Sequence, residues 1–183
     1  MRTWKILKEI LLLTVAILSF AACNKDDGGP TLDFTITVPD SWTYYAVNQS
    51  NLVYYAFSPL ENDKDSITED VLVTKDPIGG SDLEQFCTAV IASFDEDTSY
   101  HQLYLSADTT INGATCRKLI HLQTLVNLVP ESNDSIILDA KLTKYLFVRK
   151  NYGYIVGMNA LVDTYPTYKP IFDTIISSFT FKN

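Results

Sequence analysis

Histidine is scarce in this chain. His101 and His121 are the only two among 183 residues, and neither belongs to an HExxH or another local ligand pair. A solvated or hydrogen-bonded histidine is the reading for each. There is no GxSxG nucleophile turn, no CxxC and no spacing of a zinc site. Cysteine is limited to Cys23, Cys87 and Cys116. Asp63-x-Asp65 and Asp95-Glu96-Asp97 supply carboxylates. A calcium loop of the EF-hand kind counted from Asp63 requires Gly at its sixth position, where Thr68 stands. No pair of carboxylates is singled out for glycoside hydrolysis. These absences leave no catalytic constellation. No enzyme activity, cofactor or metal is expected.

Basic residues are few as well, 14 against 22 acidic, for a net charge of −8. Arg2, Lys5, Lys8 and Glu9 fall within residues 1–22, so the chain from Cys23 onward keeps 11 basic and 21 acidic residues, net −10. Nucleic acid, whose phosphates demand a basic patch, is excluded as a partner. Adhesion to anionic lipid by overall charge is opposed too.

The one long apolar run explains the start of the chain. Arg2, Lys5 and Lys8 precede an apolar centre from Ile10 to Phe20, broken only by Thr14 and Ser19, and small residues Ala21-Ala22 follow. That is the build of a secretory signal peptide over residues 1–22. Cys23 directly after Ala22 resembles the lipobox cysteine of bacterial lipoproteins, with Phe20 where Leu is usual. The resemblance implies a diacylglyceryl group on the Cys23 thiol, cleavage before it, and acylation of the new amino terminus by a fatty acid such as palmitate. One acyl chain holds only marginally, whereas three make a lasting anchor. Lys25, Asp26 and Asp27 look like the Lys-plus-acidic export tag of surface lipoproteins in some Gram-negative bacteria. A plain solvated tether over residues 23–31, with Gly28-Gly29, fits the same residues. The expected location is the outer membrane, lipid-anchored and facing the cell surface, or else its periplasmic face.

Residues 32–183 are long enough for one domain with its own core. Asp33 to Val38 alternates as a strand. Trp42–Val47 and Leu52–Phe57 are strands around the Asn48–Asn51 turn, and their adjacent pairs Tyr44-Tyr45 and Tyr54-Tyr55 place one Tyr of each pair on either face. Exposed Tyr suits a binding surface, and Tyr is also simply a good strand former. Glu61–Asp70 reads as a polar loop and Val71–Val73 as a short strand. Ser81-Asp82-Leu83-Glu84 is a capping box. It opens a helix whose Leu83, Phe86, Cys87, Val90, Ile91 and Phe94 form one apolar stripe. Asn112-Gly113 predicts a two-residue hairpin between strands from about Tyr100 to Ile111 and Ala114 to Val129. The next strand, Ile136–Val148, has a dry face (Ile136, Leu138, Ala140, Leu142, Leu146, Val148) and a wetter one (Asp139, Lys141, Thr143, Tyr145, Arg149). Tyr154–Val162 follows. Tyr168, Ile171, Phe172, Ile175 and Ile176 make a last helix, in which Pro166 and Pro170 fit only before or within the first turn. Ser178-Phe179-Thr180-Phe181 closes as a strand.

Cys87 and Cys116 both fall on apolar faces. A disulfide between them and two separate buried thiols both fit. An apolar setting raises a thiol pKa, which argues against either as a nucleophile with His121.

A strand ending in Pro and then Trp (Phe34…Val38-Pro39…Trp42), one amphipathic helix, an Asn-Gly hairpin feeding long strands, and a terminal helix running into Ser178-Phe179 resemble the PsbP-like family in their order. That family also includes a Ran-binding nuclear-import factor and bacterial envelope lipoproteins. The resemblance implies an α+β fold, an antiparallel β-sheet with helices packed on its faces as an α/β/α sandwich. It also implies non-catalytic docking onto a protein or glycan-handling assembly. A carrier of a small apolar ligand in a closed, aromatic-lined pocket is the second class, and a hydrolase with converging carboxylates the third.

Overall fold

The computed structural model describes residues 31–61, 68–96, 100–128 and 135–183. A seven-stranded sheet runs in the order β2-β3-β4-β8-β7-β6-β5, and β1 and β9 form a separate two-stranded pair. The strands are β1 (Phe34–Thr35), β2 (Thr43–Gln49), β3 (Leu52–Phe57), β4 (Asp70–Pro77), β5 (Tyr100–Ile111), β6 (Ala114–Leu128), β7 (Ser135–Arg149), β8 (Tyr152–Leu161) and β9 (Thr180–Phe181). Helix α1 is Leu83–Glu96 and helix α2 is Tyr165–Ser178. Every strand pair is antiparallel. The fold is therefore α+β, as the resemblance implies.

Each helix takes one face of the sheet. Under α2 lie Tyr54, Ala56, Val71, Val73, Tyr145, Phe147, Tyr154, Val156 and Met158, joined by the helix's own Tyr165, Tyr168, Phe172, Ile175 and Ile176. Under α1 lie Leu119 and Leu146 with Phe86, Cys87 and Phe94, flanked by Val90, Ile91, Val148 and Ile155. Both helical stripes thus meet the apolar surface that their spacing demands. Each large apolar side chain so buried contributes about 1.5–3 kcal/mol.

Two helices on two faces overturn the expectation of a wetter side on β7. Thr143, Tyr145 and Phe147 are as buried as Leu142 and Leu146. Thr143 Oγ1 is satisfied by the Tyr165 hydroxyl at 3.0 Å, so α2 dries that face without orphaning the Thr143 hydroxyl.

Local chemistry accounts for most boundaries. At the hairpin, Asn112 (φ 48°) and Gly113 (φ 82°) both take left-handed backbone, as a type I′ turn requires, and Ile111 pairs with Ala114 across it. Asn112 does a second job. Its Nδ2 donates to Ser177 O at 2.7 Å and to Phe179 O at 2.9 Å, meeting carbonyls at the end of α2 that have no partner within the helix. Gly153 is required by proximity: a Cβ there would lie 2.5 Å from Phe86 Cζ.

Four readings shift. The capping box is one residue later than Ser81/Glu84. Asp82 Oδ1 accepts the Gln85 amide at 2.9 Å, and Gln85 Oε1 accepts the Asp82 amide at 3.1 Å. Glu84 is thereby left for Arg117, whose Nη2 donates to it at 2.6 Å. The opening strand shrinks to Phe34–Thr35, because its partner β9 is only two residues long, and Thr37 N–H turns instead to Ser178 Oγ at 2.8 Å. Strand β4 is longer than Val71–Val73, because β3 and β8 flank it and both supply ladder partners. Pro170 sits inside α2, beyond its first turn. It is tolerated because Pro166 and Pro170 both lie on the exposed side of the helix, where the carbonyl that loses its helical donor is not enclosed by the core.

Candidate binding surfaces

Cys23, Lys25, Asp26 and Asp27 lie outside the described residues, as do Asp63, Asp65 and Asp97. Cys87 and Cys116 are free and buried. They belong to the clusters on opposite faces of the sheet, so the sheet stands between them and no bridge joins them. Burial pushes the Cys87 thiol up to about 11 and the Cys116 thiol up to about 12. Neither thiol offers a thiolate at neutral pH. His121 is buried with its ring 4.4 Å from that of Phe94. Burial first, then the Lys144 charge, lowers its pKa to about 3, so it is a neutral imidazole packed on an aromatic ring. Among the described residues no three His, Cys, Asp or Glu side chains gather to hold a metal ion.

The step from Glu69 to Asp70 carries a polar arrangement that has no sequence signature. Buried Glu69 Oε1 accepts Thr164 Oγ1 at 2.6 Å and Oε2 accepts Ser58 Oγ at 3.1 Å. Asp70 faces the other side of the sheet and accepts Asn159 Nδ2 at 2.6 Å from its register partner. The residue keeps some exposed surface while its carboxyl group is desolvated. That burial, reinforced by the Glu69 charge and opposed by the Asn159 hydrogen bond, raises the Asp70 pKa to about 7. Asn159 Oδ1 has no partner. These neighbouring carboxylates point away from each other across the sheet, so they do not form a paired-carboxylate site.

Each helix leaves part of its face open. On the α1 side, Tyr45, Tyr55, Phe57 and Leu72 are half-buried on β2, β3 and β4, with Tyr55 and Phe57 ring centroids 5.7 Å apart. On the α2 side, Tyr44 is 54% exposed, whereas Tyr54 is 4% exposed; the rings stack at 6.2 Å. The tyrosine pairs thus divide between faces as alternation requires, and one Tyr looks outward. The edge strand β5 exposes Leu103, Tyr104 and Leu105, and Ile137 on β7 is 68% exposed. Lys141 Nζ lies 5.8 Å from the Tyr104 ring centroid. At the hairpin end an open groove of about 410 Å³ runs past Ile111, Asn112, Phe147, Arg149, Phe179 and Phe181.

This architecture has solved counterparts. The cyanobacterial PsbP protein of Synechocystis sp. PCC 6803 aligns over 88% of this chain and 98% of its own, with 13% identity and a TM-score of 0.51. The fold is PsbP-like. LpqN, involved in cell envelope biogenesis of Mycobacterium tuberculosis, matches the PsbP-like chain over 87% of its length and 88% of LpqN, at 13% identity and a TM-score of 0.57. PA94 from Pseudomonas aeruginosa, a protein of unknown function and putative regulator, matches over 82% and 98% of the two chains, again at 13% identity and a TM-score of 0.57. No family model matches the sequence, and no curated protein matches it. At such identities the likeness of this PsbP-like chain to its neighbours is one of fold.

No helix among the described residues is long and apolar enough to cross a membrane.

Proposed function

We propose that this chain is a non-catalytic envelope lipoprotein. Lipid on Cys23 holds it in the outer membrane, and its PsbP-like domain docks a protein or glycan-handling assembly at the cell surface. The observation that carries the reading is the run from Leu18 to Asp27: an apolar segment, small residues, a cysteine, then Lys25-Asp26-Asp27 leading into a folded domain. LpqN, a neighbour in fold, is described as involved in cell envelope biogenesis, which favours an envelope role without bearing on the membrane or its face. Open sheet surface with exposed Tyr44 and Tyr104 supports docking, since aromatic residues are enriched where proteins meet. The groove at the hairpin end is open and carries Arg149 and Asn112, which suits a docked surface better than an enclosed apolar cargo.

Cys23→Ser is expected to abolish labelling by a clickable fatty acid and to move the protein out of the membrane fraction. Persistent labelling of the variant would refute the anchor. Replacing Lys25, Asp26 and Asp27 with Ala is expected to leave labelling intact but to remove protease accessibility on whole cells. Unchanged surface shaving would reduce those three residues to a tether.

A further inference from the structure

The β6–β7 ladder stops short of the ends of both strands. Its last register pair is Arg117 with Leu146, yet β6 begins at Ala114 and β7 runs on to Arg149. Continued pairing would set Cys116 against Phe147, Thr115 against Val148 and Ala114 against Arg149, and none of these pairs forms. Each segment keeps its outer neighbour. Cys116, Thr115 and Ala114 pair with Thr109, Thr110 and Ile111 of β5, and Phe147, Val148 and Arg149 pair with Tyr154, Gly153 and Tyr152 of β8. The sheet therefore has a notch within it, where two strand edges face each other. Such edges present backbone N–H and C=O groups that can pair with another chain. The groove of about 410 Å³ lies at this notch, since Ala114, Thr115, Phe147, Val148 and Arg149 all line it.

The chain around β9 fastens both lips. At the hairpin tip Asn112 Nδ2 donates to Ser177 O, Phe179 O and Thr180 Oγ1 at 2.7, 2.9 and 3.2 Å. On the other lip Arg149 Nη2 donates to Lys182 O at 2.7 Å. Each lip is thus tied to the segment behind it and not to the lip opposite. Phe179 and Phe181 back the groove, with ring centroids 5.1 and 5.6 Å from that of Phe147. A groove fastened in this way is formed before anything enters it, which spares a ligand the cost of ordering it.

Arg149 is the one charged residue of the lining, which holds no Asp or Glu. Its Cζ lies 4.9 Å from the Phe181 ring centroid, and stacking on the ring orients the guanidinium plane. Beyond the bond to Lys182 O its N–H groups have no acceptor, and it is in no ion pair, among the described residues. Arg117, by contrast, is held by both Glu84 and Asp108. A planar cation with unused N–H groups fits a carboxylate through paired hydrogen bonds. That recognition is made in contact and does not depend on the net charge of the domain.

We propose that this notch takes an extended peptide segment of a partner protein, with an acidic side chain at its mouth paired to Arg149. Each lip offers about 10 Å of strand edge, enough for about three residues. The backbone of the segment pairs with the lips, as in strand addition to a sheet edge. The lips are antiparallel, so the inserted strand is antiparallel to one and parallel to the other. Its apolar side chains meet Phe147 and Phe179. The inference rests on the docking reading above and narrows it to one groove and one ligand chemistry.

The test is backbone amide exchange of the full-length protein in detergent, with acetyl-Val-Thr-Val-Asp-amide as the probe. At about ten times the probe's Kd, the inward-pointing amides within residues 114–116 and 147–149 are expected to exchange about tenfold more slowly. Changing the probe's Asp to Asn, and separately Arg149→Gln in the protein, should each weaken binding about tenfold. The two changes together should cost no more than either one. Additive losses would show that the carboxylate and Arg149 do not meet, and would overturn the proposal. The Asn probe is read on the native protein, so its result stands even if Arg149→Gln does not fold. Protection of β5 or of Tyr44 in place of the lips overturns the groove and leaves docking by the open sheet standing. No protection anywhere at millimolar probe overturns the groove and peptide docking together. Equal protection by chitotetraose would give the groove to a glycan and overturn the proposal as well.

Discussion

Phe179→Ala is expected to destabilise the domain by about 3–5 kcal/mol, lowering its melting temperature by roughly 10 °C. Phe179 is the first residue after α2 and takes extended backbone there. Its ring is fully buried, with centroids 5.2 Å from Phe34, 5.1 Å from Phe147 and 5.0 Å from Phe181. These contacts join β1, β7 and β9, and β1 and β9 have only two residues each to hold them. Its carbonyl also accepts Asn112 Nδ2, so the hairpin and the end of α2 meet at the same residue. Removing the ring leaves a cavity among aromatic neighbours that cannot collapse onto it. Phe181 is only half-buried, so Phe181→Ala serves as the milder comparison. Thermal melts of the two variants decide the matter: equal losses would show that the cluster is not centred on Phe179.

Asp70→Asn is expected to act in the opposite direction, and only above mildly acidic pH. Burial is the main cause of the raised Asp70 pKa, with the Glu69 charge adding to it and the Asn159 hydrogen bond opposing it. Tyr55 faces it from β3 and is itself pushed upward, first by burial and then by Asp70. The folded value of about 7 lies above the unfolded value of about 3.9. Between those limits the folded state binds more protons than the unfolded one, so stability is greatest below the lower value and is lost as pH rises through the upper. The loss amounts to about 2–4 kcal/mol by pH 8. Asparagine carries no charge to desolvate, and its second N–H can supply the donor that Asn159 Oδ1 lacks. The variant should therefore melt several degrees higher than the native protein at pH 8 and at a similar temperature at pH 4. A difference that does not vary with pH would show that Asp70 keeps an ordinary pKa.

The misreadings near these residues share a cause. Glu61–Asp70 looks like a solvated loop because it is acidic and short of apolar residues. Glu69 is nevertheless buried, because Ser58 and Thr164, 11 and 95 residues away, bring hydroxyls to its carboxylate. Ser81/Glu84 and Asp82/Gln85 are equivalent capping boxes by spacing, and the choice falls to Arg117 on β6, which draws Glu84 away. Cys87 and Cys116 each sit on an apolar face as their spacing indicates. Which face was unreadable until α1 and β6 were placed. The β7 pattern suggests one wet side, because Thr143 and Tyr145 are amphiphilic residues that α2 is able to dry.

What the chain determines by itself is whatever a few adjacent residues suffice to impose. Asn112-Gly113 turns because those two residues tolerate positive φ, the stripes of α1 and α2 follow from a period of 3.6, and the address proposed from Leu18–Cys23 is read from consecutive side chains. Tertiary structure decided the rest: the length of β4, the partner of Glu84, the separation of the thiols and the proton affinity of Asp70. Each of these depends on the field or the contact of groups far apart in sequence, and burial and Coulomb energy are set by distance in space.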